Sequence, residues 1–196
     1  MDYWGFRLIN DLAGRTAWLD RILVLVAQYG PLLFVAALVW LWLAQREGPQ
    51  RARDRLAAGR ALVAAALALA AGQMITWVHS RPRPFMTHPV RLLIPPSTDP
   101  SFPSDHALAA FAIAGALAWS HRRLGVGLVI LGGLLSFARV FVGTHYPLDV
   151  LAGAVVGGAV GGLIRKADAW VRPLVDLGGR WTDAVFERVT TAGRPK

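Results

Sequence analysis

Three short runs of the chain hold the residues that could do chemistry. The first is Arg81-Pro82-Arg83-Pro84-Phe85, and the second is Ser101-Phe102-Pro103-Ser104-Asp105-His106. The third is Arg139 followed by His145-Tyr146-Pro147-Leu148-Asp149. Guanidiniums match phosphate oxygens in bidentate hydrogen bonds and stay charged at any physiological pH, so Arg83 and Arg139 point to an anionic centre. Ser104 precedes an apolar run, where a helix N-terminus offers free N–H groups to an anion. His106 and His145 can divide phosphoryl transfer, one attacking phosphorus and the other protonating the leaving oxygen. Asp149 lies four residues beyond His145, and Pro147 suits a first helical turn. Asp149 can therefore turn back toward the His145 ring and fix its tautomer. A divalent cation among Arg81, Arg83 and Arg139 is electrostatically disfavoured, so no metal is expected, nor any other cofactor. The absence of cysteine excludes a thiol nucleophile and a thiolate metal site.

The elements that must position these runs are membrane helices. Of the 196 residues 55% are hydrophobic and only 17% charged, more apolar than a soluble surface allows. At roughly 20 residues per span the length suits one domain, residues 1–196, of five or six spans. Apolar stretches run over about 22–44, 57–78, 106–120, 124–142 and 148–164, with Gly30-Pro31 expected to kink the first. The fold expected is an all-α polytopic membrane bundle. Residues 1–21 carry six charges and no uninterrupted apolar core, so they read as an amphipathic surface helix and not as a cleavable signal. Residues 167–190 read as a second. Glycines four apart, Gly153–Gly157 and Gly158–Gly162, have the spacing of a helix-packing face.

The net charge of +9 is almost all arginine. These arginines are split among loops, so nucleic-acid binding is not expected. Arg46, Arg51, Arg53, Arg55 and Arg60, then His121-Arg122-Arg123, then Arg165-Lys166 fall on one side of a five-span topology. Loop charge makes that side cytoplasmic. The loop at 79–102 and all three chemical runs then face the other side.

Those runs resemble the signature of the type-2 phosphatidic acid phosphatase superfamily. Arg83-Pro84 matches the end of its first motif. Pro103-Ser104-Asp105-His106 matches the second, with Asp where the family has Gly. Ala138-Arg139, five residues, His145, three residues and Asp149 match the third, with Ala for Ser. The first-motif lysine falls on Thr76, or on Met74 counted from Arg81, and Arg81 is the nearest replacement charge. Arg-Pro-Arg-Pro-Phe, Leu92-Leu93-Ile94-Pro95 and Gly143-Thr144-His145-Tyr146-Pro147 resemble its bacitracin-resistance branch of undecaprenyl pyrophosphate phosphatases. That resemblance implies a metal-independent phosphatase of a C55 lipid carrier, on the outer face of a bacterial inner membrane. His145 would be the nucleophile, oriented by Asp149, with His106 the acid. Arg83, Arg139, Ser104 and the Asp105 N–H would hold the phosphate. The Asp105 carboxylate would repel substrate there unless it pairs with Arg81 or Arg83, and its expected role is to help select a pyrophosphate over a monoester. Its partners would be a polyprenyl pyrophosphate or another lipid phosphate and membrane lipids. Phosphatidylglycerophosphate and phosphatidate are alternative substrates, and a non-catalytic lipid-binding or transport protein is a rival of another class. The sequence does not indicate an oligomeric state.

Overall fold

The computed structural model describes residues 2–44 and 48–192; Arg46 and Lys196 lie outside them. Helices are the regular elements of the described residues. The order is α1 (Asp2–Asn10), α2 (Ala17–Leu43), α3 (Gly48–Val78), a short α4 (Pro84–Thr87), α5 (Asp105–Ala118), α6 (Arg122–Phe141), α7 (Pro147–Leu163) and α8 (Asp168–Ala192). A 3-10 turn, Ile164–Ala167, joins the last two. Four helical stretches are long and apolar enough to cross a bilayer: α2, α3, α6, and the run Pro147–Arg188 that starts with α7. Their outward faces are greasy, with Leu32, Leu62, Trp77, Ile130 and Val155 all exposed. Such surface suits contact with lipid.

Helix α5 is the hub. Its 14 residues rise about 21 Å, short of a bilayer core. It packs against α3, α6 and α7, and those longer helices enclose it. Two sequence features allow this. On α3, Ala57, Ala61, Ala64 and Ala68 recur at helical spacing and are all buried. On α7, the stripe Gly153, Gly157 and Gly161 lies directly on the α5 backbone. A Cβ at Gly153 would stand 2.7 Å from the Ser104 carbonyl, and at Gly157 or Gly161 it would run into the carbonyls of Leu108 and Ala112. Glycine here serves close approach. The expected Gly158–Gly162 face is corrected: a Cβ at either position meets nothing within 4 Å. The true stripe steps 153, 157, 161 because successive contacts follow the four-residue ridge of one face.

Other boundaries also moved. Helix α3 starts at Gly48, so Arg51, Arg55 and Arg60 are helical and not loop residues. They bind α8: Arg51 and Arg55 each reach Asp183 at 2.6 Å, and Arg60 pairs with Asp168. His121, at the start of α6, meets the buried Asp54 of α3 at 2.9 Å. The arginine-rich ends of the helices therefore gather at one end of the bundle. Helix α2 continues through Pro31. Helix α1 is amphipathic, with Trp4 and Leu8 exposed, but it also plugs the bundle through buried Phe6 and Asn10. The Asn10 amide donates to the carbonyls of Arg91 and Phe141 and accepts from the Arg91 N–H, at 2.8–2.9 Å.

Candidate active site

The three runs meet at the end of the bundle opposite the arginine-rich one. Arg83 sits between two prolines, which hold its backbone extended (φ −70°, ψ 155°) at the mouth of α4. Its side chain is 3% exposed. Nη1 donates to the Thr144 carbonyl at 3.0 Å and lies 3.2 Å from His145 Nε2. Nε donates to the Asp99 carbonyl at 2.9 Å and Nη2 to the Asp99 carboxylate at 2.6 Å.

His145 hangs from the turn that follows α6. Gly143 makes that turn at φ 91°, a conformation glycine favours, and a Cβ there would stand 2.8 Å from the Arg91 carbonyl. The ring is buried, and its two nitrogens face different groups. Nδ1 lies 2.9 Å from the Ser101 carbonyl. A carbonyl only accepts, so Nδ1 carries the proton and Nε2 presents a lone pair. That lone pair faces Arg83 Nη1 and, at 3.5 Å, Arg139 Nη2. Burial is the largest influence on the ring and pushes its pKa down to about 4. Asp149 opposes this shift, while Arg139 and Arg83 reinforce it, so the imidazole is neutral at pH 7.

Asp149 is fully buried, and its placement refines the expectation. Its Oδ2 is 3.8 Å from Nδ1, beyond hydrogen-bond range. That oxygen accepts from Ser101 Oγ at 2.5 Å and from the Tyr146 N–H at 2.8 Å. The Tyr146 bond is the reach-back of an N3 carboxylate to the first turn of α7, which Pro147 opens. Ser101 thus stands between Asp149 and His145. The sequence placed Ser101 in a cluster without giving it a role.

Arg81 is a correction. It was expected to supply charge to the phosphate site, but it sits behind Asp149. Nη1 contacts Asp149 Oδ1 at 2.8 Å and Asp2 Oδ2 at 2.6 Å, with the guanidinium stacked 3.7 Å over the Tyr146 ring. Two carboxylates and an aromatic face hold it there. Asp105 lines the cavity without either arginine as an ion-pair partner: Arg83 pairs with Asp99, and Arg81 with Asp2 and Asp149. At the family's lysine position, Thr76 Oγ1 donates to the Phe102 carbonyl at 3.0 Å and ties α3 to the loop ahead of Pro103. Asp99 was missed. Only its two-residue spacing from Ser101, in a loop rich in Pro and Ser, could have marked it.

A cavity of about 230 Å³ is lined by Arg83, Ser97, Asp99, Pro103, Asp105, His106, Arg139 and His145. Ser104 stands at the N-cap position of α5 beside it, its N–H donating to the Asp149 carbonyl at 3.0 Å. Ser104 Oγ and Arg139 Nε are buried with no hydrogen-bond partner among the described residues. Unpaired buried donors are costly and suit a site built for an anion. A second cavity, about 250 Å³ and lined by Pro31, Phe34, Leu69, Ala109, Ile113 and Leu135, shares Asp105 and His106 with the first. A polar chamber therefore adjoins an apolar groove between α2, α3, α5 and α6.

The fold and this arrangement define the class: residues 57–172 match the model of the PAP2 superfamily, and the chain belongs to it. It is 37% identical over 190 residues to the undecaprenyl-diphosphatase BcrC of Bacillus subtilis, covering 97% of this chain and 96% of that one. It is 34% identical over 154 residues, 78% of this chain and 73% of the other, to a Bacillus licheniformis protein called bacitracin transport permease protein BcrC. The crystal structure of Aquifex aeolicus LpxE superposes with a TM-score of 0.64 at 26% identity, over 84% of this chain and 94% of that one.

Proposed function

We propose that the chain hydrolyses undecaprenyl pyrophosphate to undecaprenyl phosphate and inorganic phosphate through a phosphohistidine on His145. One observation carries this reading: the His145 Nε2 lone pair faces two buried guanidiniums while Nδ1 is held as a donor. Arg83 and Arg139, with Ser104 and the first turn of α5, bind the terminal phosphoryl group. Nε2 attacks its phosphorus, and the bond to the bridging oxygen breaks. With the anionic headgroup bound beside it, His106 acts in its imidazolium form, gives its proton to that oxygen, and undecaprenyl phosphate leaves. His106 then takes a proton from water, which attacks the phosphohistidine and frees His145 and inorganic phosphate. The guanidiniums neutralise charge that develops on the equatorial oxygens. The apolar groove beside His106 supports a lipid substrate over a soluble one.

The active site then lies on the extracytoplasmic side of a bacterial inner membrane, because the opposite end holds Arg51, Arg55, Arg60 and Arg165. A transport protein, as one relative's name has it, would have no evident use for a neutral histidine braced against Asp149 and Ser101. The test is phosphate release from detergent-purified protein in EDTA, comparing undecaprenyl pyrophosphate, phosphatidylglycerophosphate and phosphatidate. Release from undecaprenyl pyrophosphate should dominate and should vanish in His145→Ala. Activity retained in that variant refutes the mechanism, and preference for a glycerolipid refutes the substrate.

A further inference from the structure

Arg83 already holds an anion. Its Nε and Nη2 donors, the edge of the guanidinium suited to a bidentate phosphate, are both taken by Asp99, one by the carbonyl and one by the carboxylate. Only Nη1 faces His145 Nε2. The two partners are unequally placed. Arg83 is buried, whereas the Asp99 side chain is 57% exposed on the loop between α4 and α5. Burial raises the Asp99 pKa, but hydrogen bonds from Ser97 and Arg83 outweigh it and hold the carboxyl below its ordinary value. The group is therefore an anion throughout the neutral range, and it lines the same cavity as Arg139 and His145.

A carboxylate in this position is a substitute for a phosphate oxygen. It keeps a buried cation paired between turnovers, and a buried unpaired cation is costly. It can also leave cheaply, because an exposed carboxylate regains its hydration as soon as it swings outward. A ligand that takes Nη2 must displace this carboxylate, while Nε stays on the Asp99 carbonyl.

We propose that Asp99 is an internal competing anion that sets how tightly the site holds phosphate. By holding Arg83 Nη2 and adding a like charge beside the ligand, it weakens retention of inorganic phosphate after hydrolysis. The inference rests on the phosphatase reading for the identity of the ligand, and it goes beyond that reading by assigning an affinity-setting residue outside the matched motifs.

The test is direct binding of inorganic phosphate, and separately of orthovanadate, to the full-length detergent-purified protein by titration calorimetry. Wild type is compared with Asp99→Asn and Asp99→Ser. Removing one like charge about 4 Å from the ligand in a water-accessible site should tighten both dissociation constants by about fivefold or more. Unchanged or weaker phosphate binding in either variant overturns the proposal, since Asp99 would then be orienting Arg83 and not competing for it. Failure of the wild type to release phosphate from any lipid would sink the phosphatase reading but leave the binding comparison standing.

Discussion

Replacing Asp149 by Asn separates two accounts of how His145 is held. Asp149 accepts three hydrogen bonds, with Arg81 on Oδ1 and Ser101 and the Tyr146 N–H on Oδ2. An amide can keep only one of those oxygens. Whichever way it is turned, its NH2 meets a donor, Arg81 on one side or the Tyr146 N–H on the other. Breaking a buried charged network costs about 3–5 kcal/mol, and the lower end applies because Arg81 keeps Asp2. The effect on catalysis follows from the ring. In a serine-protease triad the equivalent substitution flips the histidine tautomer and costs about 10⁴-fold in kcat. Here Nδ1–H is held by the Ser101 carbonyl, which the substitution does not touch. The tautomer should persist and kcat should fall only about 10²-fold, reflecting a less stabilised phosphohistidine and a looser loop. The assay is single-turnover phosphate release at a temperature where circular dichroism shows the variant folded. A loss as deep as that of His145→Ala would refute the Ser101 carbonyl as the group that fixes the tautomer.

Three further outcomes follow from the same geometry. Gly157→Ala drives a methyl into the Leu108 carbonyl and should lower thermal stability by about 2–3 kcal/mol, whereas Gly158→Ala, with nothing within 4 Å, should be neutral in the same detergent melt. Arg83→Lys cannot reproduce a fork that reaches Thr144, Asp99 and His145 at once, and kcat/KM should fall about 10²–10³-fold without loss of fold. Finally, His145 titrates near 6.5 unfolded and about 4 folded. Between these values the unfolded chain binds the proton and the folded one does not, so stability is full above about pH 6.5 and falls as the pH drops toward 4, by on the order of 3 kcal/mol. Melting temperature against pH should show this slope, and His145→Gln should make it shallower.

The membrane bundle was legible because lipid-facing helices advertise themselves by hydropathy, and the motifs because each lies at a helix start or end. Arg83, Arg139 and His145 could be brought together on paper by topology alone. The interior of the site was less legible. Ser101 works through its backbone carbonyl as well as its hydroxyl, and a carbonyl leaves no mark in a sequence. Arg81 and Arg83 are the same residue type two positions apart, and the contacts of Arg81 with Asp2 of α1, Asp149 and Tyr146 decide which of them faces the cavity. Asp99 contacts Arg83 from sixteen positions further on, across α4 and the loop after it, a pairing no periodicity reports. The glycine stripe was half legible: spacing proposes several four-residue ladders, and only the partner helix selects one.

The way α7 lies on α5 has a mechanical consequence. Side chains packed in rotamers can yield to a sliding neighbour, but carbonyl oxygens cannot. With Gly153, Gly157 and Gly161 seated against the backbone of Ser104, Leu108 and Ala112, the pair has a single register, and a shift of one residue would bring Cβ atoms onto those oxygens. The two helices therefore behave as one stiff strut, with His106 on one member and Asp149 on the other. Shear cannot open the chamber along this seam. Movement that admits a lipid headgroup falls to the opposite wall, where α2 meets α5 and α6 through side chains and where the loop bearing Asp99 closes the top.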